Sequence, residues 1–69
     1  MENDEIVRRL EEYCDEILFS YITIERAREL VKEIDAFCEE NHVTQEQRDI
    51  LAYSGAGEVL EMLATAPDE

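Results

Sequence analysis

The chain has 69 residues, of which 19 are Asp or Glu and only six are Lys or Arg, so its formal net charge is −13. This charge excludes direct binding to nucleic acid or to an anionic membrane, because both surfaces repel a strongly acidic protein. With 45% hydrophobic residues the chain is too apolar for a disordered acidic tail, and its length fits a single helical domain, residues 1–69, with few glycines or prolines to break helices.

The first predicted helix covers about residues 4–20. Asn3 or Asp4 can cap its N-terminus, because their side chains accept hydrogen bonds from unpaired backbone N–H groups. Its apolar residues recur every three or four positions, which is the period of an amphipathic helix. These residues are Ile6, Leu10, Tyr13 and Ile17, flanked by Val7, Cys14, Leu18 and Tyr21.

A short link at residues 21–23 separates the first helix from a second one over about residues 24–41. Three consecutive β-branched residues are poor helix formers here, and Thr23 can cap the second helix. One continuous helix through this link is the alternative. The second helix has a heptad-like apolar seam, which predicts packing against another helix at a shallow angle. The seam consists of Ile24, Ala27, Val31, Ile34 and Cys38.

The third helix begins with the clearest local signal in the chain. Thr44 and Gln47 have the spacing of a capping box, which predicts a helix over about residues 45–53. The sequence Ser54-Gly55-Ala56-Gly57 then interrupts the pattern, and two glycines cost about 2 kcal/mol of helix propensity relative to Ala. We therefore expect the third helix to be kinked or split near Gly55–Gly57, with Ser54 as a second N-cap. A last helical segment covers about 57–66, followed by a tail at 67–69.

These elements predict an all-α fold, a small antiparallel bundle of three main helices with the third interrupted. Self-association is also expected, because the apolar faces are wider than a monomer of this size can cover. The predicted core consists of Ile6, Leu10, Tyr13, Cys14, Ile17, Ile24, Val31, Ile34, Cys38, Ile50, Leu51, Val59, Leu60 and Leu63.

Two motifs resemble sites of chemistry, but a structural interpretation fits each better. Cys38 and His42 stand one helical turn apart, and Glu39 with His42 forms the Glu-x-x-His pair of helical di-iron sites. No further Cys or His completes a zinc set, so Cys38 is expected in the core and His42 at a helix end. The segment 54–57 lacks the Lys of a phosphate-binding loop and is interpreted as a turn. We expect no enzyme activity, no catalytic residue, no metal ligand and no cofactor.

The start of the chain is acidic and no long apolar run follows it, unlike a secretory signal or a membrane span. We therefore expect a cytoplasmic protein that does not enter a membrane. Cys14 and Cys38 are too few for a disulfide framework and would be free thiols in a reducing cytosol.

The excess of acidic residues is the feature that indicates a function. Carboxylates one or two helical turns apart lie about 5.4–11 Å from each other, a spacing that can overlay the phosphates of a duplex strand. Phe19 stands at the edge of the acidic side, where it is either a hot spot for a partner or a buried ring at the helix turn. The predicted partner-binding residues are Glu5, Glu11, Glu12, Asp15, Glu16, Phe19, Glu33 and Glu40.

The sequence thus predicts a non-enzymatic binding module that inhibits or regulates a partner by occupying a basic site, most naturally the site of a nucleic-acid-binding enzyme. Small bacteriophage inhibitors and immunity proteins act in this way as a class, and the analogy rests on charge and size. The alternative is a structural or adaptor module that forms helical oligomers and is acidic only for solubility. A metal-carboxylate site built across a dimer and a halophilic housekeeping protein are two further alternatives.

Overall fold

The computed structural model describes residues 2–67, which form four α-helices and no strand. In chain order the helices are α1 (Asn3–Phe19), α2 (Ile24–Glu40), α3 (Gln45–Ser54) and α4 (Ala56–Ala64). The all-α prediction is confirmed, whereas the count of three main helices was wrong, because the last part of the chain forms two separate helices. The end of the predicted tail, residues 68 and 69, lies outside the described residues.

The N-termini of α2 and α3 are capped as predicted. The Thr23 hydroxyl accepts a hydrogen bond from the backbone N–H of Arg26 at 3.0 Å. Thr44 and Gln47 form both bonds of the capping box, at 3.2 Å and 2.9 Å. These caps depend on residues three positions apart, so local sequence is sufficient to predict them.

The predicted cap of α1 was wrong. Glu2 occupies the N-cap position with no side-chain cap, and Asn3 and Asp4 lie inside the first turn. The Asn3 side chain accepts a hydrogen bond from the Gln47 side chain on α3 instead. A tertiary contact therefore replaces the local one, and it places the start of α1 beside the start of α3.

The separation of α3 from α4 occurs at Gly55. Its φ of 84° lies in the left-handed region, which a glycine adopts most readily because it has no Cβ. Ser54 is the last residue of α3 and not the N-cap of α4, although its hydroxyl accepts a hydrogen bond from the Ala56 N–H at 3.2 Å. Gly57 lies within α4 and does not have a positive φ.

The packing of the helices shows how the short chain covers its core. α1 packs mainly on α3 and α4, α2 packs mainly on α4, and α1 and α2 are in looser contact. Ser54 Oγ lies 3.3 Å from Cys14 Sγ, so α1 and α3 run in the same direction. The molecule is elongated, with principal extents of 41 × 21 × 17 Å.

The core differs from the predicted one mainly on α2. Ile24 and Val31 are only half-buried, while Leu30 and Phe37 are buried. The buried face of α2 is turned because it contacts α4 on one side and the Tyr13 ring of α1 on the other, 6.1 Å from Phe37 between ring centroids. Tyr13, Ile50, Val59 and Leu63 pack around the core without being fully buried. The buried residues are Ile6, Leu10, Cys14, Ile17, Ala27, Leu30, Ile34, Phe37, Cys38, Leu51, Ala56 and Leu60.

Within residues 2–67, no helix has both the length and the apolar character needed to cross a membrane.

Candidate protein-binding surface

The outward side of α1 is a strip of carboxylates. A stripe of four residues, Ile6, Leu10, Cys14 and Ile17, is buried on one side of the helix. At 100° per residue the acidic residues fall away from this stripe, and all but the half-buried Glu16 are exposed. We call this surface the acidic face, and it consists of Asp4, Glu5, Glu11, Glu12 and Asp15.

The acidic face has little compensating positive charge. Arg8 is the cation within it, and Arg9 beside it pairs with Glu12 at 3.4 Å. Exposed pairs of this kind are worth about 0–1 kcal/mol and are screened by salt. In the part of the chain that the structure describes, Asp4, Glu5, Glu11 and Asp15 make no ion pair. Their charge therefore projects into the solvent.

Two of the predicted partner-binding residues pair with the same cation, Arg26, in a bridge that links α1 to α2 through one of them. The Arg26 guanidinium donates to both oxygens of Glu16, at 2.6 Å and 3.0 Å, and to Glu33 at 2.6 Å. The hydrogen bond from Arg26 lowers the pKa of Glu16 below its ordinary value of 4.5, and the same contacts raise the pKa of Arg26. The Glu16–Arg26 pair thus joins α1 to α2, whereas the Glu33–Arg26 pair lies within α2. Both carboxylates are less free to bind a partner.

Glu40, the last of the predicted carboxylates, is the final residue of α2 and is exposed. It belongs to a different helix from the acidic face. The structure therefore divides the predicted set into Glu5, Glu11, Glu12 and Asp15 on one strip, Glu16 and Glu33 in the bridge, and Glu40 apart from both.

Phe19 is the last residue of α1 and is 73% exposed, so its ring is not buried at the helix turn. It follows Asp15 by one turn, which places it at the C-terminal end of the acidic face. Tyr21, two positions later, is 96% exposed and has a φ of 49°. The sequence placed Tyr21 beside the apolar stripe, and this was wrong because α1 ends before it.

A concave region with a volume of about 800 Å³ lies between α2, α3 and α4. Its floor is apolar and includes Val31, Ile34 and Leu60. Arg48 Nη2 of α3 lies 3.4 Å from Asp35 Oδ1 of α2, so an ion pair spans this groove. The floor residues already belong to the core or pack on it, which leaves the groove little deep apolar surface to offer.

The residues considered for metal binding or catalysis do not form a site. Cys38 is buried and burial raises the pKa of its thiol, which disfavours the nucleophilic thiolate. His42 is exposed beyond the end of α2 with a φ of 51°, and its N–H donates to the Glu39 carbonyl in the helix-ending turn. Among residues 2–67 no three His, Cys, Asp or Glu side chains converge on a point where an ion could bind.

Comparison with known proteins finds no protein-family model, no curated protein and no solved structure that matches this chain. The most distinctive features of the chain's own surface are the acidic face of α1 and the exposed rings that follow it.

Proposed function

We propose that this protein is a non-enzymatic inhibitor or regulator that occupies a basic, nucleic-acid-binding site on a partner protein. The observation that carries the proposal is the acidic face, in which Asp4, Glu5, Glu11 and Asp15 are exposed and unpaired within the described residues. The carboxylates of this face would take the places that phosphates occupy in the partner's site. The protein then acts as a nucleic-acid mimic.

The geometry of α1 supports this mimicry. At 1.5 Å per residue, the carboxylates from Asp4 to Asp15 extend over about 16 Å along one helix. The helix holds them at regular intervals, so a partner does not need to order a flexible acidic segment. Electrostatic attraction between this strip and a basic surface accelerates association and makes it sensitive to salt.

The interior of the protein keeps the strip in place. The residues behind it, including Leu10 and Ile17, are almost fully buried, and the Glu16–Arg26 bridge attaches α1 to α2 near its C-terminal end. A rigid scaffold preserves the spacing of the carboxylates when the partner binds. This supports a surface built for recognition as well as solubility.

A cytoplasmic location is part of the proposal. Cys14 and Cys38 are buried free thiols, and a reducing compartment keeps such thiols from being oxidised. The proposed partner, a basic protein that handles nucleic acid, would share that compartment.

The test uses the tagged protein to capture proteins from a lysate of the source organism at about 100 mM and about 500 mM salt, a range over which exposed charges become strongly screened. The test variant carries Glu11→Lys, Glu12→Lys and Asp15→Lys, all on the acidic face. Glu16 is left unchanged, because its replacement would also disturb the bridge to α2.

The matched control reverses the same number of charges at exposed carboxylates elsewhere, Glu29→Lys, Glu39→Lys and Glu61→Lys. We expect the native protein and the control to capture a nucleic-acid-binding protein at low salt only. Added oligonucleotide should release this protein, and the acidic-face variant should not capture it. Capture that survives in the acidic-face variant, or that oligonucleotide does not displace, would contradict the mimicry.

A structural or adaptor role is the second candidate, and the exposed apolar side chains outside α1 favour it. Tyr53 on α3 and Met62 on α4 are 86% and 69% exposed, and such side chains can bury area against a second copy or another helical protein. In this case the acidity only maintains solubility. Self-association would make the melting temperature rise with protein concentration, and charge reversal on α1 would have little effect on binding.

A further inference from the structure

The acidic face ends in two aromatic side chains that the fold does not use. Phe19 and Tyr21 are 73% and 96% exposed, two positions apart at the C-terminal end of α1. Neither takes part in an aromatic contact in the described structure, whereas Tyr13 packs against Phe37. Packing within the fold therefore does not explain why two aromatic side chains lie exposed at the end of the acidic face.

The backbone at Tyr21 makes its exposure more informative. Its φ of 49° is in the left-handed region, which a residue as large as Tyr rarely adopts. His42 ends α2 with a similar φ of 51°, but His is one of the residues enriched in this conformation. At Tyr21 a Gly or Asn would suit the backbone better, so the local fold gives no reason for a tyrosine there.

The combination of charge and exposed rings indicates which kind of nucleic acid the protein would mimic, a duplex or a single strand. In a duplex the bases are stacked inside, and a protein that grips its backbone meets phosphates. Proteins that bind a single strand combine a basic groove for the backbone with aromatic side chains on which unstacked bases stack. A mimic of a duplex backbone needs carboxylates alone, whereas a mimic of a single strand gains from flat rings placed beside them.

We infer that the partner's site is one that binds single-stranded nucleic acid, with the acidic face in the backbone groove and Phe19 and Tyr21 in the positions of unstacked bases. This inference rests on the proposed function and specifies the ligand that is mimicked. The rings would stack on aromatic side chains or on Arg guanidinium groups of the partner. Asp15, one turn before Phe19, would face a cation that normally contacts a phosphate.

The test measures how well the purified protein elutes lysate proteins from three resins, which carry single-stranded DNA, single-stranded RNA or duplex DNA. The test variant is Phe19→Ala with Tyr21→Asn, which keeps the net charge at −13 and so leaves simple polyanion displacement unchanged. Tyr53→Ala is the matched control, since Tyr53 is a similarly exposed ring on a different helix, α3, and is not part of the acidic face.

We expect the native protein to elute proteins from a single-stranded resin at lower concentration than from the duplex resin. The two single-stranded resins tell which strand type the partner binds. The aromatic variant should need an about tenfold or higher concentration for the same elution, because stacking of one base commonly contributes at least fivefold to binding. The Tyr53→Ala control should match the native protein.

Two results would overturn this inference and leave the proposed function standing. In the first, the native protein elutes proteins from the duplex resin as well as from the single-stranded resins. In the second, the aromatic variant elutes proteins as well as the native protein does. If the Glu11, Glu12 and Asp15 reversal elutes as well as the native protein, or if the native protein elutes nothing from any resin, both the inference and the proposed function fail.

Discussion

Arg26 holds the Glu16 carboxylate with two hydrogen bonds, from Nε at 2.6 Å and from Nη2 at 3.0 Å. The same guanidinium reaches Glu33 at 2.6 Å, so a single cation of α2 binds one carboxylate of each long helix. In a chain with 19 acidic residues this bridge also reduces repulsion where α1 and α2 approach each other. It separates carboxylates that serve the fold from those that remain available on the acidic face.

Replacement of Glu16 by Gln should lower the free energy of unfolding by roughly 0.5–1 kcal/mol, because the variant loses a two-point ion pair at a partly exposed position. For a domain of this size, such a change corresponds to a decrease of a few degrees in the melting temperature. Thermal or urea unfolding followed by circular dichroism measures it. Glu12→Gln is the matched control, because its pair with Arg9 is longer and more exposed. An equal loss in both variants would show that the bridge has no special role.

The contribution of the bridge should depend on pH. The hydrogen bond from Arg26 holds the pKa of Glu16 below 4.5 in the folded protein. A group whose folded pKa is depressed stabilises the fold above its unfolded pKa and loses that contribution as the pH falls through the folded value. The stability difference between the native protein and Glu16→Gln should therefore be constant well above pH 4.5, begin to shrink near pH 4.5, and disappear only as the pH falls through the lower pKa of the folded protein. Urea titrations from pH 3 to 7 measure this difference, and a constant gap throughout would contradict it.

Tyr21→Asn should stabilise the protein by up to about 1 kcal/mol, because Asn tolerates the left-handed conformation that Tyr21 adopts and nothing is lost from the core. The same substitution should weaken binding to the proposed partner, because it removes one of the two rings that would occupy base positions in the partner's site. A variant that melts higher and binds more weakly would thus separate the two roles of this position. The control Tyr53→Asn lies within a helix and should be slightly destabilising. A lower melting temperature for Tyr21→Asn would indicate that the ring supports the fold.

The two glycines near the break should respond to Ala in opposite ways. Gly55→Ala should cost about 1–2 kcal/mol, because an L residue at a φ of 84° is strained even though no atom lies within 4 Å of the new Cβ. Gly57→Ala should raise stability by up to about 1 kcal/mol, because Gly57 is helical and the new Cβ meets Leu51 at ordinary contact distances of 3.5 Å and above. Chemical denaturation of both variants tests this. A gain for Gly55→Ala would be inconsistent with a left-handed residue at the break.

The sequence alone determined the features that depend on neighbours within about one helical turn. The apolar stripe and acidic face of α1 follow from helical periodicity, and the caps at Thr23 and Thr44 follow from side chains that bond three residues onward. The break near Gly55 could also be predicted, because helix propensity and left-handed backbone are properties of the residue itself. The sequence left open whether this break would kink the third helix or split it into two.

The tertiary structure decided everything that depends on which helix faces meet. Arg26 is ten residues from Glu16 in the chain, so their bridge exists only because α2 folds back beside α1. The buried face of α2 turned toward Leu30 and Phe37 because α4 and the Tyr13 ring cover that side. For Phe19 the sequence allowed burial or exposure equally, and the ring is exposed because no other helix covers the end of α1 at that point. Local periodicity tells which side of a helix is apolar, whereas the balance of packing among all four helices decides which polar and aromatic residues remain free.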